Sequence, residues 1–272
     1  LILNLMRYTM KIQTLLASLL VSSAAMAQTP TMKPIVMKTP NEFQILAASG
    51  NGKWACGVYS DYSNVQYGFL WNLETGEIEM LDPSKPSVAW SVSDDGLVVG
   101  QYEDTSYKSN GAAVELAGYW ANGKWNRFEM PSDEVSGAGA ASISPDGHYV
   151  TGHVEESGIY TGYIWKDGKI AKELINTNCS MPYAIAPDGQ SAAGWIQRDN
   201  RTACIWEADG EVTFLSDYQS PWSSARKYTH DGKNLLYWGG WDDMEAENAS
   251  VYAIYNLETK EKTGIPPIDE GG

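Results

Sequence analysis

Histidine and cysteine are scarce in this 272-residue chain, three of each, and bases are outnumbered by acids, 19 to 34. Each shortage excludes something. A formal charge of −15 argues against nucleic acid and anionic membrane surfaces as partners, because both need basic patches. Cys56, Cys179 and Cys204 have no zinc-type spacing. One disulfide, Cys179–Cys204, is open to them; the plainer reading makes Cys56 and Cys204 small apolar residues in strands. There is no G-x-S-x-G, no H-E-x-x-H and no paired-cysteine motif. Asp94-Asp95-Gly96 lacks the spacing of a calcium loop. His148 and His230 flank turns and His153 follows a strand, which assembles no metal site. No cofactor, metal or catalytic residue is therefore expected, and an enzyme is the weaker reading. Phenylalanine is also rare, at 4 residues, against 11 Trp and 16 Tyr. Trp and Tyr join a large apolar body to a polar tip, which suits half-buried sheets and binding surfaces.

No apolar run is long enough to span a bilayer, so no transmembrane segment is expected. The longest lies near the start, in "MKIQTLLASLLVSSAAMAQTP" from Met10. Lys11 supplies a positive n-region, Ile12 to Val21 an apolar h-region, and Ala25-Met26-Ala27 a cleavage site before Gln28. That is the pattern of a secretory signal peptide, with no cysteine after the cleavage site for a lipid anchor. Residues 1–27 hold two bases and no acid, so their removal makes the remainder more acidic. Export to the periplasm, cell surface or medium follows as an expectation.

What the chain has in abundance is repetition. "VSDDGLVVG", "ISPDGHYVTG", "IAPDGQSAAG" and "YTHDGKNLLYW" are versions of one phrase, and "ASGNGKWACG" is a looser fifth. Their turn glycines, Gly52, Gly96, Gly147, Gly189 and Gly232, stand 44, 51, 42 and 43 residues apart. Each is followed by an aromatic anchor: Trp71, Trp120, Trp165, Trp206 and Tyr255. A second turn follows each anchor. Asp-Gly and Asn-Gly suit tight turns because Gly accepts positive φ and Asp or Asn bonds its own backbone. Each unit reads as four short strands, and four strands in about 40–45 residues is the period of a β-propeller blade. The first strand alternates small and branched residues, as in Ser142-Ile143-Ser144, which suits crowding around a central axis. The aromatic anchors are expected between blades as core.

The phrase "ISPDGHYVTG…GYIWKDG" resembles the extracellular HAF-type repeats, and "HDGKNLLYW…VYAIYNLETKE" is similar to TolB-type propeller repeats. The resemblance covers Asn41 to about Pro267. It implies an exported bacterial propeller and assigns no catalytic residue. The first copy departs from it with Asn51-Gly52. The fifth departs with Tyr255 for Trp and with no Gly five residues after Gly232.

The expected organisation is signal peptide and upstream residues at 1–27, a linker or closing strand at 28–40, and an all-β propeller at 41–272. Its blades lie at about 41–82, 86–130, 136–176, 180–217 and 221–266. Five blades can close a ring. "PPIDEGG" stands where a new first strand begins in earlier copies, which leaves a truncated six- to eight-bladed ring as an alternative. The connections after the second strand are long and variable while the opposite turns are short, and variation on one face of a fixed scaffold marks a binding face. Six residues before each turn glycine stand Leu46, Trp90, Ala141, Tyr183 and Arg226. Trp90, Tyr183 and Arg226, with Tyr102, Tyr107, Trp222 and Trp241, are the candidates for a channel mouth; packing between blades is their other reading. The acids of "WDDMEAEN" form a charged loop or a cation or sugar contact. Two functions remain. One is an exported binding or interaction module for a carbohydrate, peptide or protein. The other is the non-catalytic propeller of a larger enzyme, of serine-peptidase or polysaccharide-processing type. A self-contained enzyme would need convergent acids, and only Glu155, Glu156, Asp242 and Asp243 are dense near the mouth.

Overall fold

The recurring turns close the first two strands of every unit by one device. In a computed structural model of the chain, the five turn glycines have φ between 69° and 90°, a region that costs other residues a Cβ clash. Three residues earlier a hydroxyl accepts the N–H that re-enters the second strand: Trp54 to Ser49, Leu97 to Ser93, Tyr149 to Ser144 and Asn234 to Thr229, at 2.9–3.0 Å. The same hydroxyls donate to Asn51, Asp95, Asp146 and Asp231. Ala186 breaks the pattern in the fourth copy.

The structure describes residues 43–61, 63–109, 111–174, 179–216, 222–239 and 252–265. They form five four-stranded antiparallel sheets with no helix among the described residues. Blade 1 is β1 (Phe43–Ala48), β2 (Trp54–Ser60), β3 (Gln66–Asn72) and β4 (Ile78–Met80). Blade 2 is β5 (Ser87–Val92), β6 (Val98–Ser109), β7 (Ala112–Ala121) and β8 (Lys124–Arg127). Blade 3 is β9 (Gly137–Ile143), β10 (Tyr149–Glu156), β11 (Ile159–Lys166) and β12 (Lys169–Leu174). Blade 4 is β13 (Ser180–Ile185), β14 (Ala192–Gln197), β15 (Arg201–Trp206) and β16 (Val212–Phe214). Blade 5 is β17 (Ser224–Tyr228), β18 (Asn234–Trp238), β19 (Tyr252–Asn256) and β20 (Lys262–Gly264). Each sheet pairs in chain order, and the whole is a five-bladed β-propeller.

A single meander cannot bury both faces, so the core lies between blades. Four apolar clusters fill the seams from blade 1 to blade 5 in succession. Trp165, Trp206 and Tyr255 are buried and each packs toward the preceding blade. Trp120 is only half buried; Trp125 from β8 takes over the filling, stacked on Tyr102. At the fifth seam the His230 ring lies against Gly50 of blade 1, with no comparable cluster among the described residues.

All three cysteines are free thiols. Cys204 is sealed in the seam between blades 3 and 4, so the Cys179–Cys204 bridge is not formed. Cys56 is likewise fully buried, and that burial pushes its thiol pKa up to about 12.

Candidate functional site

Every inner strand slips by one residue against its neighbour, and it does so at one position of the repeat. The register shifts fall between Ile45 and Ala47, Ala89 and Ser91, Ala140 and Ser142, Pro182 and Ala184, and Ala225 and Lys227. The skipped residues are Leu46, Trp90, Ala141, Tyr183 and Arg226, the set six places before each turn glycine. A β-bulge leaves its extra residue unpaired and re-aims the side chain. Here all five bulged residues line one central cavity of about 730 Å³, within the usual range for small-molecule sites.

The bulge has a sequence requirement on the facing strand. The carbonyl two residues before the bulge leans over β2, β6, β10 or β14 at Gly57, Gly100, Gly152 and Gly194. A Cβ at these glycines would stand 1.8–2.2 Å from the oxygens of Gln44, Val88, Gly139 and Met181. The recurring glycine after each turn is thus the partner of the bulge. In blade 5, which lacks it, Tyr237 pairs with Ala225 at this place and is fully buried.

The wall is held rigidly. Trp90, 40% exposed to the cavity solvent, donates its indole N–H to Gln101 Oε1 at 3.2 Å. Gln101 in turn donates to Glu115 at 2.7 Å. Trp195 donates its indole N–H to the Tyr183 hydroxyl at 3.2 Å, and the Arg226 guanidinium lies 4.6 Å over the Tyr183 ring. His153 also lines the cavity; burial lowers its pKa to about 4, so the ring is neutral near pH 7. Lys227, beside Arg226, completes the charged part of the wall.

The other candidates go elsewhere. Tyr102 is buried in the seam between blades 1 and 2, its hydroxyl donating to Asp104 at 3.2 Å. It follows Gln101 on β6, and strand alternation turns the two to opposite faces. Tyr107 donates nothing to the cavity: its hydroxyl accepts the Val135 N–H at 3.0 Å, and it borders a separate groove of about 460 Å³. Trp222 is exposed, stacked under Arg201 at 4.7 Å. Trp241 and the acids of "WDDMEAEN" lie outside the described residues. Two of the expected variable loops are largely strand: "YEDTSYKSNGAAVE" continues β6 and β7 apart from a short turn, and "VEESGIY" is a tight hairpin at Ser157-Gly158. Gln101 and His153 line the cavity without standing at the bulge position. The signal for them is their place immediately after the strand glycines Gly100 and Gly152.

No family model and no curated protein sequence matches this chain; similarity appears at the level of solved structures. TolB from Acinetobacter baumannii superposes with a TM-score of 0.54 at 16% identity, over 84% of this chain and 55% of its own. Oligogalacturonate lyase from Vibrio parahaemolyticus gives 0.54 at 14%, over 84% and 68%. A chain of a nidogen/laminin complex gives 0.50 at 12%, over 82% and 80%. The chain therefore spans about half the length of that TolB. At 12–16% identity the likeness to these structures shows the fold alone. By architecture this chain is a five-bladed β-propeller with TolB-like structural neighbours.

Proposed function

We propose that the protein is an exported binding module that takes a small ligand, or a protruding segment of a carbohydrate, peptide or protein, into the central cavity. One observation carries this reading. All five blades place a bulge at the same register, and all five bulged side chains meet in one cavity. Bulges disrupt pairing, and five at one level are spent on aiming side chains rather than on the sheet. Trp90 and Tyr183 offer ring faces for stacking, each fixed by a hydrogen bond before any ligand arrives, which limits the entropy lost on binding.

The test is a panel of oligosaccharides and peptides titrated onto the protein by calorimetry. Trp90→Ala and Tyr183→Ala are each expected to weaken a captured ligand by about 2 kcal/mol, roughly thirtyfold. Trp222→Ala, away from the cavity, should leave affinity unchanged. A ligand indifferent to both cavity substitutions would remove the reading. Export is supported by the N-terminal leader pattern. Expression of the complete frame in a bacterial host should yield a product beginning at Gln28 outside the cytoplasm, and an unprocessed cytoplasmic chain would contradict it.

A further inference from the structure

The cavity has a chemical polarity that the rest of the molecule does not share. The chain carries a formal charge of −15, yet among the described residues those lining the cavity include Arg226 and Lys227 and no Asp or Glu. Two acids of the described residues can be placed near this wall. Glu115 accepts a hydrogen bond from the lining residue Gln101, and Glu155 sits beside Gly137 at the start of β9; neither lines the cavity itself. Among the described residues neither Arg226 nor Lys227 has a carboxylate within ion-pair distance. Arg226 touches ring faces, Tyr183 at 4.6 Å and Trp238 at 5.9 Å, and a ring face does not neutralise a cation.

The bulge explains how two neighbours in sequence can both face inward. In a regular strand Arg226 and Lys227 would point to opposite faces; the slip between Ala225 and Lys227 turns both toward the axis. The residue after the bulge is Ala47, Ser91, Ser142 and Ala184 in the other blades, small because the inner strands crowd there. Only blade 5 puts a long cation in that place. Cys56 gives Lys227 no counter-charge, since burial keeps the thiol neutral. The Lys227 side chain is open to the cavity, yet the surrounding wall desolvates it enough to lower its pKa, so an arriving anion would ease the cost of its charge. The remaining wall is mainly apolar: Leu46, Trp90, Ala141, Met181, Tyr183 and Leu236.

Resting on the cavity reading above, we infer that the ligand is an amphiphilic organic anion, an apolar or aromatic body carrying a carboxylate that docks on Arg226 and Lys227. The guanidinium offers paired donors to the carboxylate and the ammonium a point charge beside them.

The probes are 2-naphthoate, its uncharged isostere 2-naphthamide, and inorganic phosphate, titrated by Trp fluorescence and calorimetry at fixed ionic strength. Naphthoate is expected to bind about tenfold or more tightly than the amide. Arg226→Gln and Lys227→Gln should each shrink that preference while leaving amide affinity within about twofold, and Arg226→Lys should retain part of it. Trp90→Ala should weaken both naphthyl probes, and phosphate should not displace naphthoate. Equal binding of naphthoate and amide, lost together in Trp90→Ala, would overturn the anion assignment and leave the cavity reading standing. A preference surviving both glutamine variants would place the charge site elsewhere and overturn it too. Displacement by phosphate would show a bare-anion site and reject the amphiphile. Failure of both naphthyl probes overturns the assignment, and the separate oligosaccharide and peptide panel then decides the cavity reading.

Discussion

Gly100→Ala is expected to destabilise the protein by about 3 kcal/mol or more, an effect at the upper end of single substitutions. The added Cβ would lie 1.8 Å from the Val88 oxygen and 3.2 Å from the Ala89 Cα. Both are backbone atoms of β5, so no side chain can swing aside. Relief requires the inner strand to move outward, which would flatten the bulge and turn Trp90 back into the sheet. Gly137→Ala is the control, because a Cβ there meets first the flexible end of Glu155, at 3.3 Å, and should cost under about 1 kcal/mol. Denaturant unfolding of both variants measures the difference, and Trp fluorescence reports whether Trp90 has changed environment. Equal stability of the two would mean that the bulge yields freely and does not fix the cavity wall.

Trp165→Ala should cost about 3–5 kcal/mol, the range for deleting a fully buried large aromatic. The indole is 0% exposed, packs in the cluster joining blades 2 and 3, and donates to the Glu129 carbonyl at 2.8 Å. A phenylalanine comparison separates packing from the hydrogen bond. Trp165→Phe leaves the Glu129 oxygen without this donor and should cost about 1–3 kcal/mol for that reason alone. The Trp206 indole is almost as deeply buried, but its N–H has no partner among the described residues. Trp206→Phe removes an unsatisfied donor and should cost less than Trp165→Phe. Thermal or denaturant unfolding of the pair checks the order; the reverse order would show that Trp206 is satisfied by a group outside the described residues.

The fold was legible because its signals are local. Turn chemistry at Gly96 and Gly147 and the aromatic anchors such as Trp165 each lie within a few residues of what they determine, and repetition multiplies them. The cavity was legible only in part. Counting back six places from the turn glycine picks out Trp90, Tyr183 and Arg226, because a repeat carries its register with it. Tyr102 stands next to Gln101 in the sequence, yet strand alternation buries one and turns the other to the axis. Tyr107 is a channel-mouth candidate by sequence, and β6 runs through it to Ser109, away from the cavity lining.

Sequence by itself determined the four-stranded period, the five turns and the all-β propeller, since each depends on contacts a few residues apart. Tertiary structure alone decided the rest. A bulge is a one-residue slip between strands, and only the step from Ala89 opposite Gly100 to Ser91 opposite Val99, or from Ala225 opposite Tyr237 to Lys227 opposite Leu236, shows that it occurs. The cavity is more remote still. Its wall joins Leu46 to Lys227 across five separate blades, and the lack, among the described residues, of a carboxylate within ion-pair distance of Arg226 and Lys227 is a property of that closure in space.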